Sequence, residues 1–374
     1  MKSDARHNAQ AALPQRRDFL TTGILGLLGV STWQAIGGSA DFPAVPTVAD
    51  LSTLTDETPV AFVQGYHAPG DGGRGLFFIA ETTDARQALA GSRSRGALWI
   101  PHAQRDAPWV RFIPPDSTMN VKWFGARGDG QSDDAVPINR AIWMAGYLGM
   151  RNTYIPEGTY HLEAPVVLTW TSGGTLQGAG PLTTVLRKEH AHPHTLESGR
   201  EVDAALVIPG GQSSGGESPP ETFDTHSVVV KQLGIKGVNV GIRPLERDCG
   251  IYVERAYNAT FQNLNIAWVK RAFVSDKLWM SRLIRVRGKH IETLIDLSAQ
   301  PSEDDAAGAS TSLSIENCYC SNDVRGDAFK LDGVYYATLQ SCGADEVQGW
   351  PYLIDTCRAI NLIGCGFEKS KHGK

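Results

Sequence analysis

Cysteine is scarce, with six in 374 residues, too few for a disulfide-framed scaffold, and no Cys-x-x-Cys pair begins a zinc site. Positive charge is not in excess either. The 35 Lys and Arg stand against 40 Asp and Glu, a net charge of −5, so the global balance calls for neither nucleic acid nor an anionic membrane as a partner. No apolar run is long enough to cross a bilayer comfortably. With 41% hydrophobic and 20% charged residues the chain lies in the globular range, and its length allows a sizeable core or two domains. Glycine is what abounds: 40 residues, above the usual share of about 7% and without a collagen triplet. That excess predicts many tight turns and corners.

At the N-terminus, Arg16-Arg17-Asp18-Phe19-Leu20 precedes an uncharged apolar stretch to Val30, and Gly38-Ser39-Ala40 supplies small residues for a peptidase. Residues 1–40 resemble a twin-arginine export signal, with Gln15 and Thr21 where that pattern has Ser or Thr and Lys. The resemblance implies export in the folded state, a mature chain from Asp41 without a membrane span, and a place of action in the periplasm, at the cell surface or in the medium. From Pro46 to about Pro115, short β-like runs (VAFVQGY, LFFIA, GALWIP, WVRF) alternate with Gly-rich turns and predict a small antiparallel unit. The expected boundaries are 41–118 for this β-rich module and 119–374 for a main domain.

The main domain opens with FGA-x-GDG (Phe124 to Gly130), then Ser132-Asp133-Asp134, then PEGTY (Pro156 to Tyr160). These motifs resemble the start of the pectate-lyase superfamily, the rhamnogalacturonase/epimerase-like and phage-tailspike-like right-handed β-helix proteins. Between them, Ile138, Ala141, Ile142, Ala145 and Leu148 form one apolar stripe at helical spacing, with Pro137 tolerable in the first turn. Asp133 or Asp134 is expected to cap that helix. The helix would close the open end of a solenoid. The expected fold is all-β: a right-handed parallel β-helix with an N-terminal capping α-helix and a small preceding β-rich module.

A repeat supports the solenoid. LSIENC, ATLQSC and INLIGC align on Cys318, Cys342 and Cys365, which step by 24 and then 23 residues. Leu313, Ala337 and Ile360, and Ile315, Leu339 and Leu362, would point inward, while Asn317, Ser341 and Gly364 break the alternation. The three cysteines are expected to stack as an internal ladder rather than to pair as disulfides. Asp332 and Asp355 each lie ten residues before their cysteine. Glu254 and Asp276 echo that position before Leu264 and Val286, and Asp296 does so before Cys318 across a polar insertion, Ser298 to Ser312. The chain stops soon after the strand at Cys365 with no evident cap. It is expected either to be covered by a partner chain, as a homotrimer or by end-to-end association, or to be a shortened form of a longer relative.

Adjacent coils would bring equivalent carboxylates about 5 Å apart, the spacing of a retaining glycosidase pair. Asp332 with Asp355 and Asp345 with Glu368 are the two pairs in register, and for each an acid ladder in a turn is the favoured alternative to catalysis. A lyase would instead use an Arg or Lys base beside carboxylates that bind Ca²⁺ or neutralise a uronate; Lys330 and Arg325 lie close in sequence to Asp323, Asp327 and Asp332. No other cofactor is implied. His190, His192 and His194 read as a solvated loop rather than a metal cluster, and Trp268, Trp279 and Trp350 either stack on sugars or pack between coils. The NTD, late Asp-Asp, GHG and RIK signatures of polygalacturonases and the DPHD motif of alginate epimerases are absent.

The resemblance therefore implies a polysaccharide-active protein, a hydrolase or lyase working on an acidic or complex polysaccharide, or a non-catalytic carbohydrate-binding, tail-fibre-like protein on the same scaffold. Read from sequence, Asp332→Asn and Asp355→Asn are each expected to abolish activity in a polysaccharide cleavage assay, and full activity in both would remove that column from the catalytic site.

Overall fold

A computed structural model describes residues 43–54, 59–80, 96–105, 107–114, 117–170, 172–191, 193–196, 198–210, 225–237, 248–298 and 310–371. The twin-arginine segment lies outside these residues. Two compact units emerge, one comprising residues 1–125 with 144–150 and the other residues 126–143 with 151–374.

The first unit holds a five-stranded sheet. Val60–Gly65, Gly75–Ile79, Trp109–Arg111 and Trp99–Ile100 pair antiparallel, as the alternating runs predict. Ala44–Thr47, which the sequence pattern did not disclose, joins the edge in parallel with Val60–Gly65. Leu51, Val63, Phe77 and Trp109 form its core. The HAPGDGG turn is organised by Asp71, whose carboxylate accepts from the backbone N–H groups of Tyr66, His67, Ala68 and Gly73.

The second unit is a right-handed parallel β-helix. Its first face stacks Asp248–Tyr257, Arg271–Trp279, Thr293–Ser298, Phe329–Asp332 and Tyr352–Asp355. On this face Ile251, Phe273, Ile295 and Phe329 point inward and are fully buried, so the residues between them point outward, as a period of two requires. A second face begins at His226–Lys236, Thr260–Ala267 and Arg282–Ile291 and continues through Ser310–Glu316, Val334–Gln340 and Arg358–Ile363. The later halves of the longer strands turn onto a third face, shared with Tyr319–Val324, Gly343–Asp345 and Gly366–Glu368.

The corners differ from the glycine-based expectation. Between the second and third faces, Gln232, Asn263, Arg285, Asn317, Ser341 and Gly364 all have φ between 51° and 62°, and only the last is glycine. Another corner runs through Ser227, Asn258, Met280, Ser312, Tyr336 and Ala359, again with positive φ. A left-handed conformation costs an ordinary residue about 1–2 kcal/mol. Parallel stacking holds it in place, because a residue's backbone groups pair with the coils above and below: the N–H of Asn317 donates to the carbonyl of Gln340 and that of Ser341 to Ile363, at 2.9 and 2.8 Å.

Immediately after one corner, Leu233, Leu264, Val286, Cys318, Cys342 and Cys365 follow one another inward. All six cysteines are free thiols. Each ladder thiol reaches a carbonyl of the preceding coil: Cys318 that of Leu283 at 3.6 Å, Cys342 that of Ile315 at 3.4 Å, and Cys365 that of Leu339 at 3.2 Å. The ladder is therefore a set of weak coil-to-coil hydrogen bonds as well as apolar packing.

A helix, Ala135–Tyr147, carries the predicted stripe, with Ile138, Ala141, Ile142 and Ala145 fully buried. Asn139 ties it to the first coil, donating to the carbonyl of Pro165 and accepting from the N–H of Val167, both at 2.8 Å. The two acids divide the capping work. Asp133 accepts from the N–H of Ala135, while the fully buried Asp134 turns back to the N–H groups of Arg127 and Gly128. This return explains the opening motif. The Tyr160 ring of PEGTY lies on Gly128, where a Cβ would approach its Cζ to 2.9 Å.

Met280 is exposed at a left-handed corner with φ 47°. Replacing it by glycine is expected to raise the thermal midpoint, by about 0.5–1 kcal/mol of relieved strain net of glycine's own entropy, whereas Met280→Val should lower it; calorimetry of the two variants checks this.

Candidate functional site

On the first face an open cleft of about 420 Å³ is lined by outward side chains of successive coils and by the strand Glu201–Ile208. Its floor follows the register: Tyr252 neighbours Val274, Val274 neighbours Asp296, and Asp296 neighbours Lys330. The antiparallel hairpin of Pro193–Thr195 with Glu201–Ile208 walls one end. Leu196, Val202 and Val207 pack there against Tyr252, Val274 and Cys249, and the hairpin delivers Arg200 and Asp203 to the rim. A buried ion pair, Lys188 to Asp203 at 2.8 Å, fixes the wall.

Two carboxylates on adjacent coils line the cleft in different electrostatic settings. Asp276 accepts a 2.5 Å hydrogen bond from the Tyr252 hydroxyl and an ion pair from Arg200. Burial raises its pKa above its ordinary value, and the Arg200 charge only partly opposes that shift. Asp296, almost wholly buried, is held by Arg271 at 3.3 Å, by the Ser298 hydroxyl, and by Lys330 at 3.8 Å. Burial works against the Arg271 charge, but Cys249 and Asp296 together hold its pKa above the ordinary value; Cys249 lies 3.6 Å from its Nη2. Asp276 stands two residues along from Val274, the coil neighbour of Asp296, which puts the two Cα atoms about 8 Å apart at about 4.8 Å per coil and about 3.3 Å per residue.

The sequence-derived acids fall into two separate places. Asp332 and Asp355 are register neighbours on the cleft face, and Asp332 stands beside Ser298, a cleft residue. Asp332 accepts from the Thr356 hydroxyl, and Asp355 from the Thr356 N–H at 2.9 Å. Asp345 and Glu368 are also register neighbours, but on the third face. There Asp345 accepts from the Tyr319 hydroxyl at 2.5 Å and the Glu368 N–H at 3.0 Å. The alignment of Asp296 with the Asp332 column is corrected by the register: Ser298 takes that position, and Asp296 aligns with Lys330.

The other singled-out residues also find partners. Arg325 pairs with Asp323 at 2.8 Å, and Asp327 accepts from the Trp350 N–H. Trp268 stacks on His290 with ring centroids 3.8 Å apart. His192 lies outside the described residues, and burial lowers the pKa of the half-buried His194. Sequence reasoning missed the assembly of Arg200, Arg271, Asp296 and Lys330 around Asp276. The 22-residue step from Glu254 to Asp276 was the available signal.

Ca²⁺ does not fit the cleft. It takes six to eight oxygen ligands, whereas Asp276, Asp296 and Asp203 are already neutralised by Arg200, by Arg271 with Lys330, and by Lys188. Among the described residues no group of three or more His, Cys, Asp or Glu is placed to hold a metal ion.

The sequence model of the family described as rhamnogalacturonase A/epimerase, pectate lyase-like, matches residues 118–349. The plasmin and fibronectin-binding protein A of Streptococcus pneumoniae (strain ATCC BAA-255 / R6) is 23% identical over 257 residues, 62% of this chain and 35% of that protein. The mannuronan C5-epimerase AlgE6 of Azotobacter vinelandii is 42% identical over 73 residues, 18% of this chain and 8% of the epimerase. Among solved structures, the gp42 tailspike of Acinetobacter phage vb_AbaP_AS12 superposes with a TM-score of 0.64 at 17% identity, covering 88% of this chain and 56% of the tailspike. The tailspike likeness establishes the fold, and the chain spans only about a third or less of these curated relatives. Because side-chain cations already occupy the cleft carboxylates, exhaustive dialysis against EDTA is expected to leave the thermal midpoint unchanged; a loss restored by added Ca²⁺ would contradict the cleft chemistry.

Proposed function

Because this chain belongs to the rhamnogalacturonase A/epimerase, pectate lyase-like family, we propose that it acts on an acidic or complex polysaccharide, as a glycoside hydrolase or polysaccharide lyase, in the cleft of the first face. The observation that carries this reading is Asp276, a carboxyl with a raised pKa in a cleft that also presents three cations. Burial that favours the protonated carboxyl moves its pKa in the direction a general acid requires. In hydrolysis Asp276 protonates the leaving oxygen. Asp296, one coil on and ion-paired with Arg271, is the second carboxylate, and it either activates water, as in an inverting enzyme, or attacks the sugar, as in a retaining one. Arg200, Arg271 and Lys330 offset the charge of a uronate.

The lyase route uses the same residues differently. A cation neutralises the uronate carboxylate, which acidifies the adjacent C–H, and Tyr252 or Lys330 moves the proton. Asp332 and Asp355 extend the outward row below Ser298, and their part is to hold neighbouring sugars or to replace Asp276 and Asp296 as the reacting pair. The same reading includes an extracellular place of action reached through the twin-arginine segment, and association into a homotrimer or end to end. No helix among the described residues is long and apolar enough to cross a membrane.

A panel of pectic, alginate and bacterial capsular polysaccharides separates the routes: new reducing ends mark hydrolysis, ultraviolet absorbance from unsaturated uronate marks a lyase, and binding without either product would reduce the protein to a carbohydrate-binding scaffold. On a responsive substrate, Asp276→Asn should lower kcat/KM by at least about 100-fold, with Asp332→Asn and Asp355→Asn assayed beside it to decide between the two carboxylate sets. Activity should fall as pH rises through the raised Asp276 pKa, and Arg200→Ala, which removes the charge that lowers that pKa, should move this alkaline limb to higher pH.

A further inference from the structure

The strand Arg282–Ile291 presents Arg285, Arg287 and Lys289, all exposed, along the second and third faces. Lys236, also exposed, lies two coils before Lys289 in the same column, with Ala267 between them. None of these four side chains has a hydrogen-bonding or ion-pairing partner among the described residues. The acids around them are already taken: Glu316 pairs with Arg282 at 3.1 Å, Asp323 with Arg325 at 2.8 Å, and Glu292 lies 3.9 Å from Lys270. In a chain of net charge −5, four cations are gathered on this strip, and the carboxylates in line with Lys289, Asp345 and Glu368, lie two and three coils further on.

A flat aromatic ring borders the strip. Tyr319 is the coil neighbour of Arg287 on one side and of Gly343 on the other. Its ring lies over Gly343, where a Cβ would come within 2.8 Å of its Cδ2, and its hydroxyl is tied to Asp345 at 2.5 Å. The ring is thus fixed in orientation, yet 39% exposed. A ring held flat beside an unpaired guanidinium matches a sugar that carries a carboxylate: the apolar face of the pyranose stacks on the ring and the acid meets the cation.

We infer that Lys236, Arg285, Arg287, Lys289 and the Tyr319 ring form a second binding strip for an acidic polysaccharide chain, apart from the cleft, with Asp345 as the residue that positions Tyr319. The inference rests on the polysaccharide reading of the previous section. The strip lies off the first face, so it holds the polymer while the cleft acts on it. Its attraction is electrostatic and exposed, and therefore weakens with salt.

The test is affinity electrophoresis at low salt in gels containing polygalacturonate, alginate or neutral dextran, with single-stranded DNA as a further probe. The wild-type protein should be retarded by at least one acidic polysaccharide and not by dextran. Arg287→Ala/Lys289→Ala and, separately, Tyr319→Ala should weaken that binding by at least about tenfold with unchanged circular dichroism. Retardation unaffected by the strip variants, none by either acidic polysaccharide, or equal loss of DNA and polysaccharide binding in Tyr319→Ala would overturn the inference. Cleavage that persists with unaltered polymer binding in the strip variants would sink the strip and leave the cleft reading standing. Strip-dependent binding with no product from any substrate would do the reverse.

Discussion

Every coil of this β-helix completes its backbone hydrogen bonds on the coils above and below, and that dependence organises the rest of the molecule. A parallel sheet cannot leave interior N–H and C=O groups unpaired, so corners must stack on corners. Left-handed residues such as Arg285, Met280 and Tyr336 are held in a conformation they would not choose alone. The same stacking places like beside like: a thiol ladder at Cys318, Cys342 and Cys365, an aromatic stack at Phe329 and Tyr352, and an acid row at Asp332 and Asp355. Function is then a property of columns. A residue's neighbours are the ones a coil away rather than the ones beside it in sequence.

In the cleft this arithmetic sets two carboxylates on adjacent coils and sorts their charges by what the next column supplies. Asp296 has Lys330 on the next coil and Arg271 alongside as ion-pair partners. Asp276 has a hydroxyl and a rim arginine against the penalty of burial, so its proton is harder to remove. The hairpin carrying Arg200 lies outside the coil repeat, and it is this addition, packed on Tyr252 and Val274, that walls one end of the cleft. On the third face the cations Arg287 and Lys289 are exposed beside the fixed ring of Tyr319, the surface inferred to hold the polymer.

The coil period was readable because the later coils are uninterrupted: the cysteines mark a constant phase, and the partners Leu313 with Ala337 and Ile315 with Leu339 follow from it. The opening motif was readable for a different reason. Gly128, Asp134 and Tyr160 touch one another, so their spacing in sequence is constrained by a single local contact set. The cleft was not readable in the same way. Insertions at 238–247 and 299–309 change the coil length, and counting ten residues back from a cysteine puts Asp296 in line with Asp332 when Ser298 holds that place. Glycine content misled in the same manner, since composition reports how many residues permit a left-handed turn and not which residues are made to adopt one.

The sequence by itself therefore determined the solenoid, its phase in the last coils, the helix stripe and the free, stacked thiols, because periodic burial leaves a periodic trace in residue type. Only the tertiary structure decided which acids share a cleft, which cations neutralise them, and which of Asp276, Asp296, Asp332 and Asp345 faces which side. Those outcomes depend on register between coils separated by loops of unequal length, and on the distances over which charges act, neither of which is written in residue spacing.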